Sequence, residues 1–430
     1  MPNGHVLAHS LLPIRGRAPR HQPAVGRRGV LAFTGELWDV TQNRSDTDVV
    51  LARLESIGPR KAFRSFHGNW AIVYLSSHDG YIHFATDRLG EQPLHFAYDG
   101  TRLSVATEIK TLVAAGHPFE AVRPVVPGIH YTYSGELFET TYKPGGSDAK
   151  YKSFCKRVLR RRIAEAVRSQ AAAHDPRHEV VILLSGGIDS TIIAFEAAKS
   201  GVTRAFTVAV DARAPDAINA ARVARELGLD WELVLAPPAS PTSAVACAEI
   251  ANRSIVEELC MHLHLAARLQ ELGIHIALTG SGADELFVGY GHLLGRVPHH
   301  ALQERFLSTY YRFDLRAVNK IYGGYQVEVR NPFLSRHLVE YARRIPGDVL
   351  IGPSRALKWP LRETYRDVLG AFSTRPKLIA RETMGVKSLF QKRFGLSPYI
   401  YRPLLKSLLR SSAATLRAIS CAPTRIKTKR

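Results

Sequence analysis

A chain of 430 residues with 45% apolar content can bury the cores of roughly two or three domains, which excludes general disorder. No stretch approaches the roughly eighteen apolar residues that cross a bilayer, and the opening MPNGHVLAHSLLPIRGR lacks an apolar core with a small-residue cleavage site, so no membrane span and a cytoplasmic location are expected. The net charge of +20 is uneven, with 14 Lys/Arg against one Glu between Ala371 and Arg430, which suits nucleic acid, an acidic peptide, an anionic membrane face or a solvated surface ending loosely in RIKTKR.

From about Gly29 to Leu112 the pattern is strand-like, in VLAFTGEL, NWAIVYLSS, YIHFATD, LHFAYD and LSVATE, with Asp79-Gly80 and Asp99-Gly100 set as hairpin turns. One helix, DTDVVLARLESIG, interrupts it. Between Glu136 and Asp148 the sequence turns polar and rich in Gly and Pro, a linker signal, so a first domain is expected over 1–148.

Beyond it the rhythm changes. After the basic helix KSFCKRVLRRRIAEAVRSQ come VVILL, AFTVAV, WELVLA and IHIAL, short runs that suit strands buried on both faces. Helical stretches between them close on Gly201, Gly228 and Gly273, where a left-handed cap is needed. The alternation predicts an α/β fold with a doubly wound parallel sheet, whose ligands gather at the carboxyl ends of the strands. From about Leu302 onward the chain reads mainly helical, giving a second domain over 149–400 and a basic tail over 401–430. Cys155, Cys247, Cys260 and Cys421 are scattered without zinc-like spacing and read as buried apolar fillers, not as disulfides or metal ligands.

Two glycine-rich segments fall at the carboxyl edge: SGGIDST, Ser185 to Thr191, and TGSGADELFVGY, Thr279 to Tyr290. In the first, glycines let backbone N–H groups approach an oxyanion, the hydroxyls of Ser185, Ser190 and Thr191 add donors, and the following helix offers its positive end. Phosphate binding follows. Asp189 repels phosphate by itself and so implies a bridging cation, Mg2+. No GK[ST] follows, which separates the loop from the Walker pattern. In the second, Gly280 and Gly282 permit a tight turn, and Asp284 with Glu285 brings carboxylates toward Asp189, where two acids can hold Mg2+ across a triphosphate.

SGGIDST resembles the pyrophosphate loop of the ATP pyrophosphatases, and TGSGADELFVGY is similar to the second signature of the asparagine synthetase family. Further matches run in order through AFTGELWD, RSDTDVVLARL, DRLGEQPLHF, ATEIKTL, VEVRNPFL and TRPK with GVKSLF, from about Gly4 to Phe394. The resemblance implies a truncated, degenerate amidotransferase domain with an Ntn-like β-rich sandwich, then a sheet of the ATP pyrophosphatase type. It also implies an enzyme that activates a carboxylate as an acyl-adenylate, releases pyrophosphate and lets an amine attack. By matching position, Leu184, Ser185, Gly186, Gly187, Asp189, Ser190, Val208, Thr279 and Gly280 would bind ATP, with Val208 lining the adenine slot. Asp189 and Asp284 would share Mg2+. Lys377, Ser281 and Glu328 would be catalytic, Lys377 as a fixed ammonium against the transition-state charge.

The chain departs from the family pattern in several places. Asparagine synthetases carry a cysteine right after the initiator methionine, whereas this chain begins Met1-Pro2-Asn3, has no cysteine before Cys155 and reads Thr34-Gly35-Glu36 for Asn-Gly-Glu. Loss of glutamine hydrolysis is therefore expected, although Asp46 survives. Ser281 replaces an acid or, in the similar β-lactam synthetases, a tyrosine, and serine is a poor base at neutral pH. Where an arginine toward pyrophosphate is expected stands NRSIVEELCMH, with Arg253 nearby and Glu257 and Glu258 suited to a substrate ammonium. His262 and His264 read as helix-face residues.

The expected function is an AMP-forming amide ligase using an amine of its own small-molecule or peptide substrate, as in the β-lactam and lasso-peptide macrolactam branches. One pocket holding both ends supplies effective molarities on the order of 10^5 M. A precursor peptide and a protease would then be partners. Asparagine synthesis from ammonia is the alternative. A tRNA-modifying enzyme is disfavoured, because no aromatic-basic nucleic-acid platform is evident.

Overall fold

The computed structural model describes residues 6–10, 12, 14, 21–40, 44–142, 154–237, 240–291, 294, 298–375, 380–387, 390, 401–410 and 427–429. The chain divides into two compact units, Met1–Gly146 with Ala173–Arg177, and Ser147–Ala172 with His178–Arg430.

In the first unit, alternating apolar residues make β1 (Ala24–Val25), β2 (Gly29–Leu37), β3 (Gly68–Ser76), β4 (Ile82–Thr86), β5 (His95–Tyr98), β6 (Leu103–Ala106), β7 (Arg123–Pro124), β8 (Ile129–Tyr133) and β9 (Leu137–Thr141). An antiparallel sheet runs β1-β2-β3-β4-β8-β9, and a smaller one β6-β5-β7. Helices α1 (Asp46–Ile57) and α2 (Pro59–Ser65), with Phe66 directly after α2, set Val50, Leu54, Phe63 and Phe66 against Leu31, Phe33, Trp70 and Tyr74 of the larger sheet. The smaller sheet joins a second core through Phe96, whose ring centroid lies 5.7 Å from that of Phe84 and 5.2 Å from that of Tyr131. The unit is thus layered helix, sheet, sheet, with α3 (Ile109–Ala114) beside β6.

In the second unit, β10 (Val180–Leu183), β11 (Arg204–Ala209), β12 (Asp230–Leu235), β13 (Ile276–Leu278) and β14 (Glu328–Arg330) are parallel, in the order β14-β13-β10-β11-β12. Val181, Ile182, Phe206, Val234 and Leu278 are fully buried, as the apolar runs require. The helices used below are α4 (Lys156–Ala172), α5 (Ile188–Ala198), α6 (Pro215–Leu227), α7 (Pro241–Ala248), α8 (Arg253–Glu271), α9 (Ala283–Leu286), α10 (His299–Thr309), α11 (Asp314–Gly324), α12 (Arg336–Ala342) and α13 (Trp359–Leu369). Gly228 closes α6 in the left-handed region at φ +66°.

The chain lays β11 and β12 to one side of β10, then returns to place β13 and β14 on the other. That reversal is the switch point where open parallel sheets take their ligands. The loops leaving β10 and β13 are SGGIDST and TGSGADELFVGY.

The basic end is not loose throughout. Arg402–Arg410 is helical, and β15 (Lys427–Lys429) pairs antiparallel with β12, Lys429 opposite Leu233. Among the described residues no helix is long and apolar enough to cross a membrane. Cys247 and Cys260 are buried, but Cys155 is exposed, so the filler reading fails for it. Its N–H donates to Tyr341 Oη at 3.0 Å. Cys421 lies outside the described residues.

Candidate active site

Leu184 extends the ladder just past β10, its N–H donating to Phe206 O at 2.8 Å and its carbonyl accepting from Thr207 Oγ1. The chain then turns at Gly186, φ +72°, where a Cβ would lie 2.5 Å from Asn219 Cβ and 2.6 Å from Ala220 N of α6. Only glycine fits there. The hydroxyls of Ser185 and Ser190 are 3.0 Å apart, Ser185 N–H donates to Ser190 Oγ at 3.2 Å, and Gly187 N–H donates to Ser185 Oγ at 3.3 Å. With Gly187 capping α5, the loop is preformed around a helix amino terminus that favours an anion. Thr191 is buried within α5, in contrast to the exposed Gly187. Val208 reaches the same sheet edge beside Val234 and is buried.

The second loop begins at Thr279, whose hydroxyl donates to Asn331 Oδ1 at 2.7 Å and accepts from Ser281 N–H at 3.1 Å. That hydroxyl builds the turn, so the structure gives Thr279 a supporting place and not a free donor. A Cβ on Gly280 would sit 2.7 Å from Ser190 N and 2.8 Å from Asp189 C, because the two loops touch at this point. On the single turn of α9 the two acids part. Glu285 accepts from Tyr290 Oη, while Asp284 Oδ1 lies 2.7 Å from Lys358 Nζ.

Lys358 also donates to Asp189 Oδ2, so one ammonium joins the aspartates of both loops. Its side chain is 0% exposed, and its backbone is left-handed, φ +56° and ψ +35°, at the start of α13. Gly289 leaves the room: a Cβ there would collide with Asp284 Oδ1 and lie 2.5 Å from Lys358 Cε. Asp189 Oδ1 is buried and has no hydrogen-bond partner among the described residues. A buried carboxylate oxygen with unused lone pairs suits a hard divalent cation. Asp189 and Asp284 therefore fit Mg2+, which would neutralise phosphate charge when bound.

Arginines reach the loop from the α13 side, not from NRSIVEELCMH. Arg375 Nη1 donates to Gly186 O at 3.2 Å. Arg362, near Asp189, donates to Leu357 O at 2.8 Å and Ser373 O at 2.6 Å, and burial lowers its pKa. Arg253 is buried and paired with the fully buried Glu257, its Nε 2.5 Å from Oε1, so Glu257 is not placed to receive a ligand ammonium.

Glu328 stands at the far end of its strand from the site. It opens β14 opposite Ile276, at the amino end of the strand, and its carboxylate accepts from Arg330 Nε at 2.6 Å. Arg330 is fully buried and also donates to Gln170 O. Three residues of strand, roughly 10 Å, separate that end from the departure of the Ser281 loop. Glu328 is the counter-ion of a buried arginine, and the structure does not bring it to Ser281. Lys377 lies outside the described residues.

The model of the asparagine synthase family matches residues 158–300 and 291–396, and that of the glutamine amidotransferase domain matches residues 2–127. The chain belongs to the asparagine synthase family. Among its relatives, asparagine synthetase B [glutamine-hydrolyzing] of Escherichia coli K12 is 27% identical over 411 residues, covering 85% of this chain and 72% of that protein. Asparagine synthetase [glutamine-hydrolyzing] of Triphysaria versicolor is 26% identical over 400 residues, covering 84% and 67%. The amidase chyE of Penicillium rubens is 28% identical over 348 residues, covering 67% of this chain and 51% of that protein.

In this asparagine synthase family member Tyr310 lies near Ser281, Glu285, Asp314 and Asp284. Burial first, and then the charge of Asp284, push Glu285 up to about 8. Burial, and then Glu258, push Asp314 up to about 7. Carboxyls poised near neutrality can hold or accept a proton at working pH. Tyr310 and Asp314 come from beyond α10, with no local motif to announce them. His262 Nδ1 meets Tyr322 Oη at 2.8 Å and His264 is buried, both on α8.

Proposed function

We propose that this chain is an AMP-forming amide ligase: it adenylates a carboxylate with ATP, releases pyrophosphate and couples the acyl group to an amine. One observation carries the reading. Aspartates from the loops of two adjacent parallel strands meet at one cation, beside a preformed phosphate loop at the switch point of the sheet. Ser185, Gly186, Gly187 and Ser190 would cradle the β and γ phosphates, Arg375 would brace the loop, and Asp189 with Asp284 would hold Mg2+ on the triphosphate. Bound there, Mg2+ supplies charge neutralisation at the phosphates. Lys377 would stabilise the negative charge of acyl transfer.

The amine comes from the substrate itself, giving a lactam or a macrolactam. Two features support this reading. In the first unit Thr34 replaces the expected asparagine, and Asp46 Oδ2 accepts from Leu37 N–H at 3.3 Å, a use inside the fold. In the second, Asp314, raised to about 7 and near Tyr310, which neighbours Ser281, offers a proton acceptor, while Glu285, raised to about 8, holds a proton at neutral pH. A precursor peptide and its protease would be the partners of a macrolactam enzyme.

The test is substrate-dependent exchange of labelled pyrophosphate into ATP, with AMP as the nucleotide product and no ammonia released from glutamine. Formation of ADP would refute adenylation. A second reading, asparagine synthesis from ammonia, is favoured by the names of the E. coli and Triphysaria relatives. Asparagine and AMP made from aspartate, ammonium and ATP would establish it over lactam formation.

A further inference from the structure

We infer that Lys358 occupies the metal position of the nucleotide-free enzyme, so that a divalent cation binds only together with ATP. The inference rests on the reading of Asp189 and Asp284 as the metal ligands. The ammonium spans both loops, 2.7 Å from Asp284 Oδ1 and hydrogen-bonded to Asp189 Oδ2, on the carboxylate oxygens a bridging ion would need.

The two carboxylates and the ammonium between them sum to minus one, and the Arg362 guanidinium adds positive charge near Asp189. A bare divalent ion would meet a fixed positive charge and would have to displace a fully buried ammonium from two carboxylates that are themselves 17% exposed. A triphosphate changes that balance. It offers the ammonium new acceptors, and the flexible four-carbon stem lets Nζ move from carboxylate to phosphate while the metal takes the vacated oxygens. Asp189 Oδ1, without a hydrogen-bond partner among the described residues, is the first ligand open to the incoming ion.

The backbone confines the movement to the side chain. Lys358 O accepts from Leu361 N at 3.0 Å and Arg362 N at 3.2 Å, tying the residue to the first turn of α13. Ser354, Arg355 and Lys358 all take positive φ, +54°, +61° and +56°, so this path of chain is specified closely. Nothing larger than glycine fits at 289 beside the cluster.

The experiment titrates Mn2+ into the full chain, read by the electron paramagnetic resonance of free Mn2+ and by melting temperature, with and without ATP. Wild type is expected to bind Mn2+ only when ATP is present. Lys358→Met is expected to bind Mn2+ without ATP roughly tenfold or more tighter than wild type, with a melting temperature that rises on adding Mn2+. Lys358→Gln carries the same expectation should the methionine variant not fold. Wild type that binds Mn2+ equally well without ATP overturns the inference, as do variants no tighter than wild type. If wild type fails to bind Mn2+ even with ATP, or if Asp284→Asn in the Lys358→Met chain keeps the Mn2+ site, the metal-ligand reading itself fails, a distinct result.

Discussion

Two aspartates, one in each unit, follow strands closely, Asp87 directly after β4 and Asp189 in the first turn of α5, and are satisfied in opposite ways. Asp87 is buried, and both its oxygens accept backbone N–H groups: Trp70 and Gln92 at 3.2 and 3.1 Å, Leu89 and Glu91 at 3.0 and 3.1 Å. Asp189 gives one oxygen to an ammonium and leaves the other unpartnered among the described residues. A carboxylate whose lone pairs are filled by its own backbone holds a turn in place. One left incomplete beside a phosphate loop is arranged for a ligand.

The sharpest way to break this contrast is to neutralise both kinds of acid. Asp189→Asn or Asp284→Asn should cut pyrophosphate exchange by about a thousandfold, near 4 kcal/mol of transition-state stabilisation, with folding retained. Asp87→Asn should do the reverse, lowering urea stability of the first unit by about 3 kcal/mol while exchange per folded molecule is kept. Loss of exchange in a folded Asp87→Asn chain would erase the distinction.

Gly280→Ala comes next in size. Its methyl would press on Ser190 N and Asp189 C, moving the loops apart by a fraction of an ångström, and kcat/KM for ATP should fall by about 10 to 100-fold. Unchanged kinetics would show that loop contact does not set the site.

Glu285 sharpens the comparison through pH. Its carboxyl is raised from 4.5 to about 8, so the folded protein binds more protons than the unfolded chain between those values. Its contribution to stability therefore falls as pH rises through that window. Glu285→Gln, which still accepts from Tyr290, should flatten the loss, and melting temperatures from pH 5 to about 9 would show the variant gaining on wild type toward the alkaline end. The smallest catalytic effect belongs to Glu328→Gln. It removes the charge facing buried Arg330 and should cost about 1–3 kcal/mol of stability without altering turnover per folded enzyme.

The strands and both glycine loops were legible because their signals are local: apolar runs of strand length, then glycines where backbones must approach. Lys358 was not, since its partner Asp189 is 169 positions away and its orientation depends on a left-handed residue opening α13. Glu328 is assigned to the site by motif position in VEVRNPFL, whereas strand direction puts it at the amino edge. Arg253 and Glu257 each looked available in sequence, and only their pairing one helical turn apart shows that they satisfy each other. The approach of Asp314 to Asp284 depends on α11 folding back near the second loop, which no periodicity reveals.

The central claim is that Asp189 and Asp284 hold a divalent ion on the phosphates of ATP. Calorimetric titration of ATP into the protein, with Mg2+ and then with EDTA, tests it without knowledge of the acyl substrate. Wild type should bind ATP tightly only with Mg2+, and the chain with both aspartates changed to asparagine should lose that dependence. Equal affinity in EDTA, or a metal dependence that survives in the double variant, would contradict the account.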